Sequence, residues 1–316
     1  MLPSALAAGA WNSAYHAPVM VEQVIELLGA FQEVLDGTLG GGGHTAALLE
    51  AGARVTAIDR DPAALENVRA RLPLAIADGR LRLMHANYSR LDGLLDLEHM
   101  TFDGILLDLG VSSHQLDEVD RGFTFREGAP LDMRMGDDAE QGADTLLNEA
   151  DERELARWFR EFGDEPRAGR LAREVVRRRA NRPFLISDDF VGAIRGALGP
   201  RTGPGDFARL FQALRIAVND ELAGLARALP VLRDRLAPGG RIVVLSYHSG
   251  EDRLVKSAFR EWSTDCICPP RHPVCGCGHV ALGALVGRKG RAAAPHEAAA
   301  NPRARSARLR AWQRAA

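Results

Sequence analysis

Four consecutive glycines, Gly40 to Gly43, lie between an apolar run ending in an acid, Val34-Leu35-Asp36, and a helical pattern, Ala46-Ala47-Leu48-Leu49-Glu50. Strand, glycine turn and helix in that order point to an open α/β sheet, in which ligands bind at the carboxyl ends of the strands. Glycine is needed where φ is positive or where the backbone must approach a ligand without an intervening Cβ. A plain turn needs one or two glycines, and a longer run costs chain entropy, so a nucleoside-type ligand is the better reading than a bare turn. Arg54-Val55-Thr56-Ala57-Ile58-Asp59 reads as a second strand. Its terminal acid, Asp59, is placed to hold ribose hydroxyls. Gly41-Gly42-Gly43-His44-Thr45-Ala46 also fits the G-x-G-x-x-A dinucleotide pattern, so an oxidoreductase remains open at this point.

Strands and helices then alternate. The spacing predicts strands at Glu33 to Leu35, Arg54 to Ile58, Leu81 to Ala86 and Phe102 to Leu109. It predicts a helix from Pro62 to Arg71, with Asp61 as N-cap and proline at the first helical position. Repeated β-α-β units imply a parallel sheet with helices on both faces. Asp36, Asp59, Asn87-Tyr88 and Asp108 then collect at one sheet edge. Another helix, with Val21, Val24, Ile25 and Leu28 on one face, precedes the first strand. His16, just before it, reads equally as a residue leading into that helix or as a side chain aimed at the glycine loop.

The alternation stops after about residue 112. Glu152 to Phe162, Gly169 to Ala180 and Asp188 to Leu198 read as helices, which makes 113–216 an inserted helical domain between two parts of the sheet domain, 1–112 and 217–316. A long helix is expected from Phe207 to Leu229. Leu236-Ala237-Pro238-Gly239-Gly240 ends a helix, and Arg241 to His248 reads as the fifth strand. By fold analogy alone, that turn favours a methyltransferase-type sheet over a dehydrogenase one.

The insert carries the chain's best nucleic-acid signal. Arg167 to Arg182 holds seven arginines and one acid, and Arg170, Arg173 and Arg177 share a helical stripe opposite Leu171, Ala172, Val175 and Val176. Such a row suits phosphates, although charge runs are often only solvated faces. Arg303, Arg305, Arg308, Arg310 and Arg314 repeat the theme near the end. With a net charge of -2, a polyanion would be met by local patches and not by a global field. The chain has no apolar run of spanning length and no signal-peptide pattern at its start, so no membrane is expected and the location is read as cytoplasmic. The four cysteines, Cys266, Cys268, Cys275 and Cys277, fall in one short segment. Their C-x-C spacing is tighter than a usual zinc knuckle, so either some of them reach one ion or they form a reduced, loop-packed cluster. No metal is assigned to the reaction site.

These motifs resemble those of the bacterial 16S ribosomal RNA small-subunit methyltransferase H family, also called MraW. The matching stretches include His16-Ala17-Pro18-Val19, the loop Asp36 to Thr45, Ala57 to Pro62, Gly104 to Ser113, Gln115-Leu116-Asp117, Arg121-Gly122-Phe123 and Pro130 to Met135. They continue with Phe211 to Asn219, Ser246-Tyr247-His248-Ser249, Glu251-Asp252-Arg253 and Asn301 to Ser306. The resemblance implies a Rossmann-like class I S-adenosylmethionine-dependent sheet with an inserted all-helical domain. It implies N4-methylation of a cytidine in the decoding centre (P site) of 16S rRNA, with the RNA or the small subunit as partner. It implies S-adenosyl-L-methionine contacts from Gly42, Gly43, His44, Asp59, Tyr88, Asp108 and Gln115. The chain departs from the family pattern at His114, where proline is usual, and at Tyr88 and Tyr247, where phenylalanine is common.

For such a reaction the candidate groups are those after the fourth and fifth strands: Asp108, Ser112, Ser113, Ser246 and His248. Asp36 and Asp108 are placed to meet the ammonium of the methionine portion. Tyr88 would stack on or border the adenine. No covalent cysteine nucleophile is expected, because all four thiols sit in the late loop. A non-catalytic RNA-binding assembly factor that retains the fold is the remaining alternative, and the sequence does not fix the oligomeric state.

Overall fold

The computed structural model describes residues 18–316 apart from 94–96, 98, 99, 269–273, 275 and 288, and apart from the side chains of 92, 93, 113 and 114. The readings placed on His16, on Cys275 and on the side chain of Ser113 lie outside the described residues. The chain forms two compact units. One holds the described residues up to Gly110 and again Ala223–Ala316; the other is Val111–Leu222.

In the first unit, strands β1 (Glu33–Asp36), β2 (Arg54–Asp59), β3 (Leu81–His85), β4 (Phe102–Asp108), β5 (Leu236–Ser246), β6 (Gly283–Leu285), β7 (Arg291–Ala292) and β8 (Arg308–Arg314) make one sheet. The order is β3-β2-β1-β4-β5-β8-β6, with β7 also paired to β8. Strands β1 to β5 run parallel, and β8 lies antiparallel to β5, β6 and β7. This is the expected Rossmann-like α/β class. Successive side chains on a strand point to opposite faces, and the two faces have separate cores. Val34, Leu106, Val243 and Leu245 join one, packed by Val24 and Leu28 of α1 (Val21–Leu28), Leu48 of α2 (Gly43–Glu50) and Leu65 of α3 (Pro62–Arg71). Leu35, Ile105, Leu107, Ile242 and Val244 join the other. Helix α3 has the predicted bounds, and its Asp61 cap accepts from Ala63 N. It is followed by the short α4 (Pro73–Ala77).

The second unit is helical: α5 (Ser113–Asp117), α6 (Ala143–Glu149), α7 (Glu152–Glu161), α8 (Ala168–Arg179), α9 (Ser187–Leu198) and α10 (Pro204–Asn219). Its core holds Leu147, Leu155, Phe159, Leu171, Val175, Phe190, Ile194, Phe211 and Leu214. Phe190 packs on both Phe159 and Phe211, at centroid distances of 5.8 and 5.3 Å. The single helix predicted from Phe207 to Leu229 is divided. Asp220 adopts left-handed backbone, with φ 50°, and ends α10 before α11 (Glu221–Asp234) starts. Asn219 fixes the break: its amide donates to Met133 O at 2.7 Å and accepts from Met135 N at 2.8 Å. Residue 216 therefore lies inside a continuous α10, and the compact helical unit extends to Leu222.

Back in the first unit, Leu225, Leu229 and Leu232 of α11 and Val255, Phe259 and Trp262 of α12 (Ser249–Trp262) cover the second face of the sheet. The short α13 (Pro295–Ala300) precedes β8. Strand β5 begins at Leu236, so the Ala237-Pro238-Gly239-Gly240 stretch is part of a strand with an irregular register against β4, not a free turn. Among the described residues, no helix is long and apolar enough to cross a membrane.

Candidate active site

Strand β1 lies between β2 and β4. The chain therefore winds outward in both directions from the β1/β4 pair, and the crevice at such a switch point is where open α/β sheets take ligands. Three strands end there in acids, Asp36 on β1, Asp59 on β2 and Asp108 on β4, and β5 ends in Ser246.

Asp36 is buried. Its carboxylate accepts from Thr45 Oγ1 at 2.6 Å and from Thr38 N at 3.1 Å. Burial pushes its carboxyl above the ordinary range, against the lowering effect of the Thr45 hydroxyl. Thr38 Oγ1 accepts from Asp108 N at 2.6 Å, tying the glycine loop to the end of β4. Asp108 accepts at Oδ1 from the Tyr247 hydroxyl at 2.6 Å. Burial, then the nearby Asp108 charge, pushes the Tyr247 phenol well above its usual range, so the phenol keeps its proton and donates.

His44 is buried on the first turn of α2. Its Nε2 lies 2.9 Å from Val19 O and its Nδ1 3.5 Å from Asp108 Oδ2. Burial lowers its pKa. The neutral ring therefore donates from Nε2 to the carbonyl and leaves Nδ1 as an acceptor. Nδ1 and the Asp108 carboxylate thus place acceptor atoms side by side at the ends of α2 and β4. His44 does not cap α2: the N-cap is Gly42, without a side-chain bond.

Asp59 accepts from Gly40 N at 2.7 Å and from Asp61 N at 2.9 Å. Burial nevertheless pushes its carboxyl up. Each oxygen has two lone pairs, so one amide apiece leaves room for a vicinal diol. The glycine loop itself is shaped by packing as well as by ligand access. Gly42 has φ +72° and a Cβ there would fall 2.6 Å from Val68, and a Cβ on Gly43 would fall 3.0 Å from Pro18. Tyr88 opens a short 3-10 turn after β3 and is half-buried against the second core.

The other predicted residues have structural partners. Ser246 is buried, and its hydroxyl donates to Arg308 O of β8 at 3.2 Å. His248 is the N-cap of α12: its Nδ1 accepts from Gly250 N, and its Nε2 lies 3.2 Å from Glu251 Oε1, off the hydrogen-bonding direction. Buried Glu251 also accepts from the backbone of Tyr247 and His248. Ser112 and Gln115, in the helical unit, form a reciprocal capping box. Ser112 N donates to Gln115 Oε1 at 3.1 Å, and Gln115 N donates to Ser112 Oγ at 3.2 Å. Gln115 is buried and also donates to Met135 O. Thr38, Thr45 and Tyr247, which hold the two acids, are not among the predicted site residues. No spacing in the sequence could have found them: Tyr247 lies 139 residues and Thr38 70 residues from Asp108.

On α8, Arg170, Arg173 and Arg177 are exposed while Leu171, Ala172 and Val175 are buried, as the periodicity requires. Not every arginine of the run is open to a ligand. Glu174 is bonded by Arg177 at 2.7 and 2.9 Å and by Arg178 at 2.7 Å. Arg179 donates to Leu147 O and Ala150 O at the end of α6. In the other unit, Arg310 forms a two-point pair with Asp252 of α12, and Arg314 donates to Asp234 O and Leu236 O. The late arginines are thus largely brackets of the sheet edge.

Residues 13–315 match the model of the MraW methylase family. The chain is 58% identical over 315 residues to a Gemmatimonas aurantiaca protein named ribosomal RNA small subunit methyltransferase H, covering 100% of both chains. It is 46% identical to a protein of the same name from Heliobacterium modesticaldum, over 95% of this chain and 98% of that one. A third, from Anaeromyxobacter dehalogenans, is 48% identical over 95% and 97%.

Proposed function

We propose a reaction on one premise: this chain belongs to the MraW methylase family. It is an S-adenosyl-L-methionine-dependent methyltransferase of class I fold that methylates the RNA of the small ribosomal subunit in the cytoplasm. The acceptor is N4 of a cytidine in the decoding centre of 16S rRNA. Family membership over the whole chain carries this reading, and it sets aside the oxidoreductase alternative.

The residues present fit the methyl donor. Asp59 retains lone pairs for the ribose diol. Asp36, Asp108 and His44 Nδ1 gather acceptors and negative charge that suit an ammonium and a sulfonium. When bound, the cofactor supplies an electrophilic methyl on a cationic sulfur. The acceptor amine is weak, because its lone pair is conjugated into the cytosine ring. Catalysis then rests on in-line placement and on a group that takes hydrogen bonds from, and finally a proton of, the amine. Asp108 suits that role: it ends β4, its side chain retains 15% exposure, and Tyr247 orients it. Ser246 and His248 serve the site indirectly, by fixing β5 to β8 and starting α12. The target base has to be unstacked or single-stranded to reach such a crevice, and the α8 arginines are proposed to hold flanking phosphates.

The test is methyl transfer from labelled cofactor to small subunits, and to their naked RNA, taken from cells lacking the protein. Mass spectrometry of nuclease fragments should place the label on one cytidine at N4. Label on another base or atom refutes the acceptor. RNA binding without transfer to any substrate refutes the enzyme in favour of an assembly factor.

A further inference from the structure

The segment between α12 and β6, residues 263–282, contains no helix or strand among its described residues. Its neck is closed by Leu282 N donating to Trp262 O at 2.8 Å and by Ala281 N donating to Asp265 Oδ1 at 3.4 Å. Beyond the neck, Ile267, Val274 and Val280 are exposed. Apolar side chains that face water contribute no core there, and where a core is lacking a cross-link or a metal can take its place.

The thiols of Cys266, Cys268 and Cys277 meet in this segment, with all three Sγ atoms within 4.8 Å of one another. Cys266 and Cys277, eleven residues apart, have their Sγ atoms 3.8 Å apart. That separation is far from a disulfide bond of about 2.0 Å. It is the edge of a tetrahedron: two sulfurs each about 2.3 Å from one zinc ion are about 3.8 Å apart. The local C-x-C spacing would not by itself gather three ligands. The fold does so by bringing Cys277 back across the loop to the Cys266-Ile267-Cys268 end.

We propose that Cys266, Cys268 and Cys277 bind a structural zinc ion that staples the 263–282 loop. Three soft sulfur ligands favour zinc over hard cations. Each thiol gives its proton to water as its sulfur binds, and Zn²⁺ with three thiolates carries one net negative charge. The fourth position goes to a further ligand. The ion lies in the loop after α12, apart from the acids that end β1, β2 and β4, so its role is to order the loop and not to take part in methyl transfer.

The test is metal analysis of the full-length protein purified under reducing conditions from zinc-supplemented cells. Stoichiometric zinc is expected. Cobalt exchanged into the protein should give the intense visible bands of tetrahedral thiolate coordination. Cys266→Ser with Cys277→Ser should abolish both signals, and Cys268→Ser alone should weaken retention at least tenfold. Cofactor binding by these variants, measured by calorimetry, reports that the sheet unit is still folded. Protease should nick the 263–282 loop of the double variant faster than that of the parent. Absence of zinc and of cobalt binding in the reduced parent protein overturns the proposal. So does zinc retained by the double variant, or a Cys266–Cys277 disulfide trapped by alkylation at cell lysis.

Discussion

At the scale of single residues, the crevice is a set of acids held by hydroxyls and amides. Tyr247 gives the most direct test, because its one polar atom donates to Asp108. Tyr247→Phe removes the donor and leaves the ring. A hydrogen bond to a carboxylate stabilises its charged form, so without it Asp108 becomes more basic. The acidic limb of kcat against pH should move to higher pH, with a stability loss of about 1 kcal/mol by chemical denaturation. An unchanged limb would remove Asp108 from the reaction. Asp59→Ala removes the diol acceptor and frees Gly40 N. Without the two hydrogen bonds proposed from the ribose diol to this carboxylate, cofactor binding should weaken roughly a hundredfold, or ~3 kcal/mol, by calorimetry. The acids were legible in the sequence because each ends an apolar run. Their partners were not, because a threonine or tyrosine hydroxyl carries no spacing signal until the strands are side by side. For the same reason Ser246 and His248 read as reactive groups, although one is bonded to the β8 backbone and the other begins a helix.

At the scale of elements, periodicity served the helices better than the last strands. Helices α7, α8 and α9 have bounds within a residue of those the apolar spacing gives. Strand β8 was hidden, because Arg308, Arg310 and Arg314 made it read as a basic tail. Leu309 and Ala311 alternate with those arginines and are buried, as is the neighbouring Trp312. The break at Asp220 was hidden too, because what enforces it is Asn219 bonding a distant loop. Helix α8 itself contains a pH-sensitive contact. Hydrogen bonds from Arg177, then Arg178, hold the Glu174 carboxyl down at about 2, against an ordinary 4.5. An acid whose pKa is lowered by folding adds stability above its unfolded value and loses it as pH falls toward the folded one. Glu174→Gln should therefore cost on the order of 1 kcal/mol at neutral pH. The difference from the parent should shrink as pH drops from about 4.5 toward 2. A difference independent of pH would mean that packing, not charge, is what the side chain supplies.

At the scale of the whole molecule, RNA binding cannot rest on net charge. The chain carries -2, and the helical unit Val111–Leu222 holds 17 arginines and lysines against 22 acids. A unit that is acidic overall can hold phosphates only where its cations are locally concentrated, and the exposed row on α8 is such a place. Even there Glu174 competes, since Arg177 is already bound to it at two points. Salt dependence separates these contributions. For every phosphate the protein no longer neutralises, the slope of log affinity against log salt falls by roughly 0.7 to 0.9. Arg173→Ala with Arg177→Ala should flatten the slope by about twice that amount and weaken binding most at low salt. Glu174→Gln should act in the opposite direction, because Arg177 and Arg178 would no longer have to exchange a carboxylate for a phosphate. Binding of a small-subunit RNA fragment, measured by fluorescence anisotropy across a salt series, checks both. If the double arginine variant leaves the slope intact, α8 presents only a solvated face. If Glu174→Gln weakens binding instead, the carboxylate is holding the arginines in the orientation that RNA needs, and competition is the wrong description.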